Sequence, residues 1–205
     1  MTLANLWKKL RVRKAKDQKT KLVLHPITLD DKTGLPIFRY YPDPLSNGSI
    51  ISSQATCVCC NKARGYMYAK GPYGLEGIEE EELCPWCIAD GSAAQKLGCS
   101  FIQDLEAEVP GSVFDEIMQR TPGYETWQGE YWMCHCNDAC IFLGEMTGER
   151  FAAVPDIIFD KYASENGFIE AWRGAREKYV RATDASVYEF RCAHCGEIRL
   201  HADAS

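Results

Sequence analysis

Apolar positions along this chain recur in short bursts, separated by turn residues, and the bursts alternate between helical and extended spacing. At the start, Leu3, Leu6, Trp7 and Leu10 fall at helical spacing with Lys8, Lys9, Arg11, Arg13 and Lys14 around them. That pattern suits a short basic amphipathic helix able to rest on an anionic membrane surface or a partner; the competing reading is a frayed, solvated extension. Residues 22–36 read as a connector with turn signals at His25-Pro26 and from Asp30 to Gly34. Ile37 to Tyr41 alternates as a strand would, and Pro42 and Pro44 then stop it because neither can donate to a sheet ladder.

A turn at Ser46 to Ser49 is followed by an aromatic-rich strand pattern at Arg64 to Ala69, closed by Gly71-Pro72. Ile88 to Leu97 has helical character and ends at Gly98, a residue free to adopt the left-handed cap conformation. Ser112 offers an N-cap oxygen to a helix over Val113 to Arg120, with Asp115 and Glu116 in its first turn and Thr121-Pro122-Gly123 at its end. Two further helices are predicted over Ile157 to Ala163 and Phe168 to Val180. The apolar stripe of the second (Phe168, Ile169, Trp172, Ala175, Tyr179) reads as core. Short strands over Val187 to Arg191 and Glu197 to His201 flank Cys192-Ala193-His194-Cys195-Gly196.

These elements predict an α+β fold built from small units: a basic extension over residues 1–34, then one domain over residues 35–205. That domain comprises a first cysteine module (35–100) and a helical part carrying a second cysteine cluster (101–205). The 205 residues are 46% hydrophobic and 25% charged, as in ordinary globular proteins. No apolar run approaches the ~18 residues of a membrane-spanning helix. The first 25 residues lack the unbroken apolar core of a secretory signal, so a cytoplasmic location is expected. Charge is unevenly spread: residues 1–21 carry eight Lys/Arg and one Asp, net +7, and the remainder is net −13. The run Glu79 to Glu82 reads first as a solvated face.

The chain holds 11 cysteines, an odd number better suited to metal ligation in a reducing compartment than to a secreted disulfide framework. Cys57-x-x-Cys60 is followed by Cys84-x-x-Cys87. Two intervening residues let both sulfurs of a tight turn face one point about 2.3 Å away, and two such pairs supply a tetrahedral four-cysteine zinc site. Cys84 and Cys87 stand at the start of a predicted helix, whose positive end favours thiolates, so a treble-clef-like module is expected. The alternative is a redox pair at Cys84-Pro85-Trp86-Cys87, although the acidic, glycine-rich segment before it is not the buried strand such a motif usually follows.

A looser second set is expected from Cys136, Cys140, Cys192 and Cys195, with Cys134 or His135 able to substitute, the Cys192-x-x-Cys195-Gly196 turn resembling a zinc-ribbon knuckle. Cys59 and Cys99 read as free thiols, and His194 as a residue shaping its turn. Cys136, His135 and Asp138 include the residue types of a nucleophile, a base and an orienting acid, but neighbours in one turn rarely point at each other, and acid–base work needs contact at about 3 Å. Sites of four cysteines are coordinatively closed and structural by default. There is no Walker loop, dinucleotide fingerprint or His-Glu-x-x-His motif. No catalytic residues are expected.

With these residues assembled, the chain resembles the CbrC-like family. The resemblance rests on Leu35 to Pro44, Cys57-Val58-Cys59-Cys60 leading into Ala63-Arg64-Gly65-Tyr66, Leu83 to Ala94, His135-Cys136-x-Asp138 with Phe142-x-Gly144, and Phe190-Arg191-Cys192-x-x-Cys195-Gly196. It covers residues 35–201. It implies no reaction; the namesake of the family is linked with tolerance to a DNase-type colicin. The basic extension and the extra cysteines of the 134–140 segment depart from that pattern.

Three roles follow as expectations. The first is a non-enzymatic structural-zinc protein that works by binding another protein, including a basic nuclease toxin that the acidic body would attract, with Glu76 and Glu79 to Glu82 as the patch to test. The second is nucleic-acid binding through zinc modules and the basic arm, which an acidic body disfavours. The third is thiol–disulfide chemistry at Cys84 and Cys87.

Overall fold

The computed structural model describes residues 23–74, 77–166, 173, 176 and 185–204. The expected amphipathic helix near the start, most of the helix over 168–180, and Glu76 lie outside the described residues.

Chain order alternates short strands with short helices. Strand β1 (Ile50–Ser52) pairs antiparallel with β2 (Tyr66–Tyr68). Helices α1 (Pro85–Ala89) and α2 (Ser92–Leu97) follow. Then come β3 (Asp104–Leu105), α3 (Gly111–Arg120) and β4 (Tyr131–Trp132), the last parallel to β3. A tight hairpin of β5 (Cys134–His135) and β6 (Asp138–Ala139) leads directly into β7 (Ile141–Glu145). Helices α4 (Gly148–Ala152) and α5 (Asp156–Asn166) precede β8 (Ala185–Arg191) and β9 (Ile198–Ala204). Strands β7, β8 and β9 form an antiparallel sheet with β8 in the centre.

Mixed helix and sheet is therefore observed, with instructive local differences. The helix expected over 88–97 is two helices, because Gly91 between them takes φ 77°. Gly98 does close the second in the left-handed conformation, its N–H donating to Ala94 O. The helix at 113–120 begins earlier, at Gly111. Val113 and Phe114 donate backbone N–H groups to Pro110 O, and Ser112 makes no side-chain cap. Ile37 to Tyr41 forms no strand. Burial does alternate there, with Phe38 and Tyr40 inside and Ile37 and Arg39 outside, but Tyr41 N–H turns back to Phe38 O at 3.2 Å and buries Tyr41 as well, ending the alternation. Strand β7 turns Phe142 and Gly144 inward and bends at a bulge between them, where the glycine takes φ 118°.

One core runs from Leu35 to Cys192 and holds Tyr41, Tyr124, Trp132, Phe142, Tyr188 and Phe190. Tyr124 stacks on Phe142 at 4.3 Å, and Trp132 meets Phe190 edge-on at 5.6 Å. The opposite face of β8 presents Val187 to a smaller cluster with Leu200, Phe151, Phe159 and Tyr162, against which α4 and α5 pack. A sheet with apolar side chains on both faces and helices on one of them is thereby fixed in register, because a one-residue slip would exchange the two cores. Among the described residues no helix is long and apolar enough to cross a membrane.

Candidate metal centres

The described residues include two clusters of ligand-type side chains. In each, one potential ligand atom per residue lies within 4.8 Å of all the others: Cys57, Cys60, Cys84 and Cys87 in one, His135, Cys136, Cys192 and Cys195 in the other.

The first cluster is made by a knuckle and a helix start. Cys57 O accepts from Asn61 N–H at 2.7 Å and Cys57 N–H donates to Lys62 O, a tight turn that Asn61 completes at φ 57°. The second pair is brought in by main-chain bonds from Val58 N–H to Glu82 O and from Tyr68 N–H to Leu83 O. Strand β2 is thus the strut between the two cysteine pairs. Cys84 precedes α1 and Cys87 lies in its first turn, with Pro85 at the first helical position, where its missing N–H costs nothing. Cys57 and Cys87 sulfurs are 3.9 Å apart and those of Cys60 and Cys84 3.8 Å. Cys57 and Cys84 are fully buried and Cys87 nearly so; Cys60 is half-buried.

Charge is what this cluster leaves unbalanced. Hydrogen bonding with the Cys84 and Cys87 side chains, and the Cys84 N–H that donates to Cys57 Sγ at 3.3 Å, hold the Cys57 thiol far below its ordinary range. The anion so formed is hydrogen-bonded by Cys84 and pushes that thiol up to about 12, and it raises Cys87 further. Four sulfurs in one buried pocket cannot all ionise without a cation. A divalent ion reverses that balance by pairing with thiolates directly.

The second cluster joins segments far apart in sequence. Strand β6 runs into β7, and Ile141 pairs with Arg191 at the end of β8, so the hairpin and the 192–195 turn become neighbours. Cys192 N–H donates to Glu197 O and Gly196 N–H to Cys192 O, closing that turn with Gly196 at φ 76°. In the hairpin, His135 is paired with Asp138, leaving Cys136 and Asn137 as a two-residue loop with φ 53° and 58°. Both positive angles are the signature of a type I′ turn. The face carrying His135 and Asp138 receives the 192–195 turn. His135 Nδ1 lies 3.3 Å from both Cys136 Sγ and Cys195 Sγ, and Asp138 Oδ2 lies 2.8 Å from His194 Nε2.

The outer supports of this cluster are carboxylates. Glu197 Oε2 is 3.5 Å from His135 Nε2, and Glu197 is itself held by Lys161 at 2.6 Å. With Nε2 facing a carboxylate, Nδ1 is turned towards the sulfurs, the arrangement that fixes a metal-binding imidazole. Buried Asp138 accepts from Tyr40 Oη at 2.6 Å, Arg39 at 2.9 Å and Ala139 N–H at 2.9 Å, tying the segment after Leu35 to the same corner. Burial raises the Cys192 thiol, but the backbone N–H groups of Cys195 and His194, with His135 and Cys195, bring it down to about 6. Cys136 is pushed up to about 11 by desolvation and by the neighbouring Cys195 and Cys192 sulfurs.

Of the residues expected in the second set, Cys136, Cys192 and Cys195 are brought together, with His135 as the fourth member. Cys140 is not among them. Its N–H donates to Met133 O and its carbonyl accepts from Trp132 Nε1 at 2.8 Å. The side chain is fully buried, which raises its thiol to about 12 and keeps it neutral. Cys134 is buried and raised in the same way. Cys99 is buried, and Cys59 Sγ lies 3.6 Å from Ser92 Oγ. The sequence reading missed Glu197. Its only signal was its place two residues beyond Cys195, beside a histidine 62 positions away.

The family model described as an uncharacterised protein family, UPF0167, matches residues 35–204. A UPF0167 protein of Pseudomonas aeruginosa is 40% identical over 173 residues, covering 82% of this chain and 97% of its own length. UPF0167 proteins of Mycobacterium bovis and Mycobacterium tuberculosis are each 38% identical over 177 residues, covering 82% of this chain and 93% of their own. No solved structure matches the chain.

Proposed function

Since the chain belongs to the uncharacterised family UPF0167, which brings no activity with it, we propose from the geometry alone that the protein is a non-enzymatic scaffold organised by two structural zinc ions. Cys57, Cys60, Cys84 and Cys87 hold one in a treble-clef-like module. His135, Cys136, Cys192 and Cys195 hold the other in a ribbon-like corner. The observation that carries this reading is the convergence of four sulfurs, from two separate bends, within 4.8 Å of one another. Zinc suits both donor sets, which combine thiolates with imidazole and need no open coordination position. None of the eleven cysteines is paired in a disulfide, which agrees with the proposed cytoplasmic location.

The experiment is zinc titration into protein refolded with a reductant, followed by thermal unfolding with and without chelator. Zinc should raise the midpoint and protect the thiols of the first set from alkylation. Equal stability with and without the ion would contradict a structural role.

The work such a scaffold does is proposed to be protein binding. The run Glu79 to Glu82 is largely exposed at the lip of the first cluster, immediately before Leu83 and Cys84. A rigid acidic edge next to a metal-pinned turn suits a basic partner, and it fits the resemblance to the CbrC-like family and its link with a DNase-type colicin. Neutralising Glu79 to Glu82 with glutamine should slow association with a basic nuclease domain and flatten its salt dependence. Unchanged association kinetics would exclude this edge.

A further inference from the structure

The two clusters differ in access. In the first, Cys57 and Cys84 are fully buried, Cys87 is 3% exposed, and Cys60 is half-buried with its sulfur against that of Cys84. In the second, Cys136 and Cys195 are both exposed, and only Cys192 is buried. The exposed pair sits at the tips of two turns, a two-residue hairpin loop between β5 and β6 and a knuckle between β8 and β9. Reaction of a cysteine with an oxidant in water requires that the oxidant reach the sulfur, so accessibility decides which of the two clusters is attacked.

We propose that Cys136 and Cys195 form a reversible modification site at which a peroxide converts the pair to a disulfide and releases the second metal ion, while the first cluster stays intact. The proposal rests on the two-zinc reading and adds to it a chemistry for one site. The co-reactant is a hydroperoxide, hydrogen peroxide being the simplest. The thiolate of one exposed cysteine attacks the peroxide oxygen; an S–O bond forms, the O–O bond breaks, and hydroxide leaves to be protonated as water. The second exposed thiolate attacks the resulting sulfenic sulfur. An S–S bond forms, the S–O bond breaks, and the oxygen again leaves as water after protonation. Two thiolates, one hydrogen peroxide and two protons thus give one disulfide and two waters, with sulfur oxidised and peroxide oxygen reduced.

Two of the three anionic donors are consumed by this step. Only His135 and buried Cys192 remain, too few to retain a divalent ion against solvent. His135 Nδ1, 3.3 Å from each exposed sulfur, holds both on one side of the imidazole and so keeps the pair within reach of each other. A dithiol reductant returns the pair to thiolates and restores the site.

The test uses full-length, zinc-loaded protein treated with hydrogen peroxide in the presence of a chromogenic zinc chelator, with the disulfide located by non-reducing peptide mapping. Zinc content is counted before treatment. The expected result is two equivalents before and one after, a Cys136–Cys195 linkage in the released fraction, and recovery of the second equivalent on adding dithiothreitol and zinc. Cys195→Ser should give no such linkage and no peroxide-dependent release, while keeping the first ion. Retention of both equivalents, parallel loss of both, or a linkage within Cys57, Cys60, Cys84 and Cys87 would overturn the proposal while leaving two zinc sites in place. A starting count below two would overturn the metal reading of this corner and the proposal with it.

Discussion

Cys140 and His135 lie five residues apart and on composition alone are equally good ligands. The hairpin separates them. His135 pairs with Asp138 on the face that receives the 192–195 turn, whereas Cys140 is committed by its N–H and carbonyl to Met133 and Trp132 and is buried in the aromatic core. His135→Ala should therefore cost one zinc equivalent by elemental analysis, and Cys140→Ala none, its effect being a stability loss of about 1 kcal/mol from a small cavity. His201 shows a second kind of residue-scale control. Burial between Tyr131 and Tyr188 lowers its pKa below the ordinary 6.5, against smaller opposing effects from Asp203 and Glu106. The unfolded chain then binds a proton near its ordinary pKa that the fold refuses. Stability from this site is complete above that pH and falls as pH drops towards the folded value. Urea denaturation of His201→Gln from about pH 7.5 to 5.5 should show a shallower fall than the parent; parallel curves would reject the assignment.

At the scale of elements, the decisive step is a strand pairing that no local pattern announces. The Cys57/Cys60 and Cys84/Cys87 pairs are legible because both obey a turn spacing and one precedes a helix. The second corner closes only because β7 pairs with β8. That pairing spans the 51 residues between Cys140 and Cys192, and strand pairing is a tertiary event. Propensity likewise located the 88–97 helix but not its break, which depends on Gly91 at φ 77°. Two backbone positions make tests. A side chain on Gly123 would place its Cβ 2.3 Å from Glu130 Oε1 and 2.7 Å from Phe101 O. Glu130 is buried and pinned by Lys70 at 3.0 Å, and Phe101 O is backbone, so neither can yield. Gly123→Ala should destabilise by about 3 kcal/mol in chemical denaturation, the upper end of overpacking costs. In the hairpin loop, Asn137 holds φ 58°. Asn137→Gly should leave zinc affinity at the second site intact, and Asn137→Val should weaken it, because β-branched residues resist that conformation.

For the whole molecule, both clusters contribute cysteines to one core that draws on residues from Leu35 to Cys192. The first cluster lies beside the three-residue strands β1 and β2, and half of the second lies on the two-residue strands β5 and β6. Such short strands are marginal alone, and the ions proposed for the two clusters would cross-link them to the rest of the fold. Coupled folding energies of structural zinc are on the order of 10 kcal/mol, comparable with the whole stability of a domain. Counting bound zinc by native mass spectrometry, on chain purified without chelator under reducing conditions, addresses this account most directly. It predicts a discrete species with two ions, falling to one in His135→Ala and in Cys84→Ser. A folded chain that carries no ion, or a graded ladder of adducts with no preferred count, would contradict it.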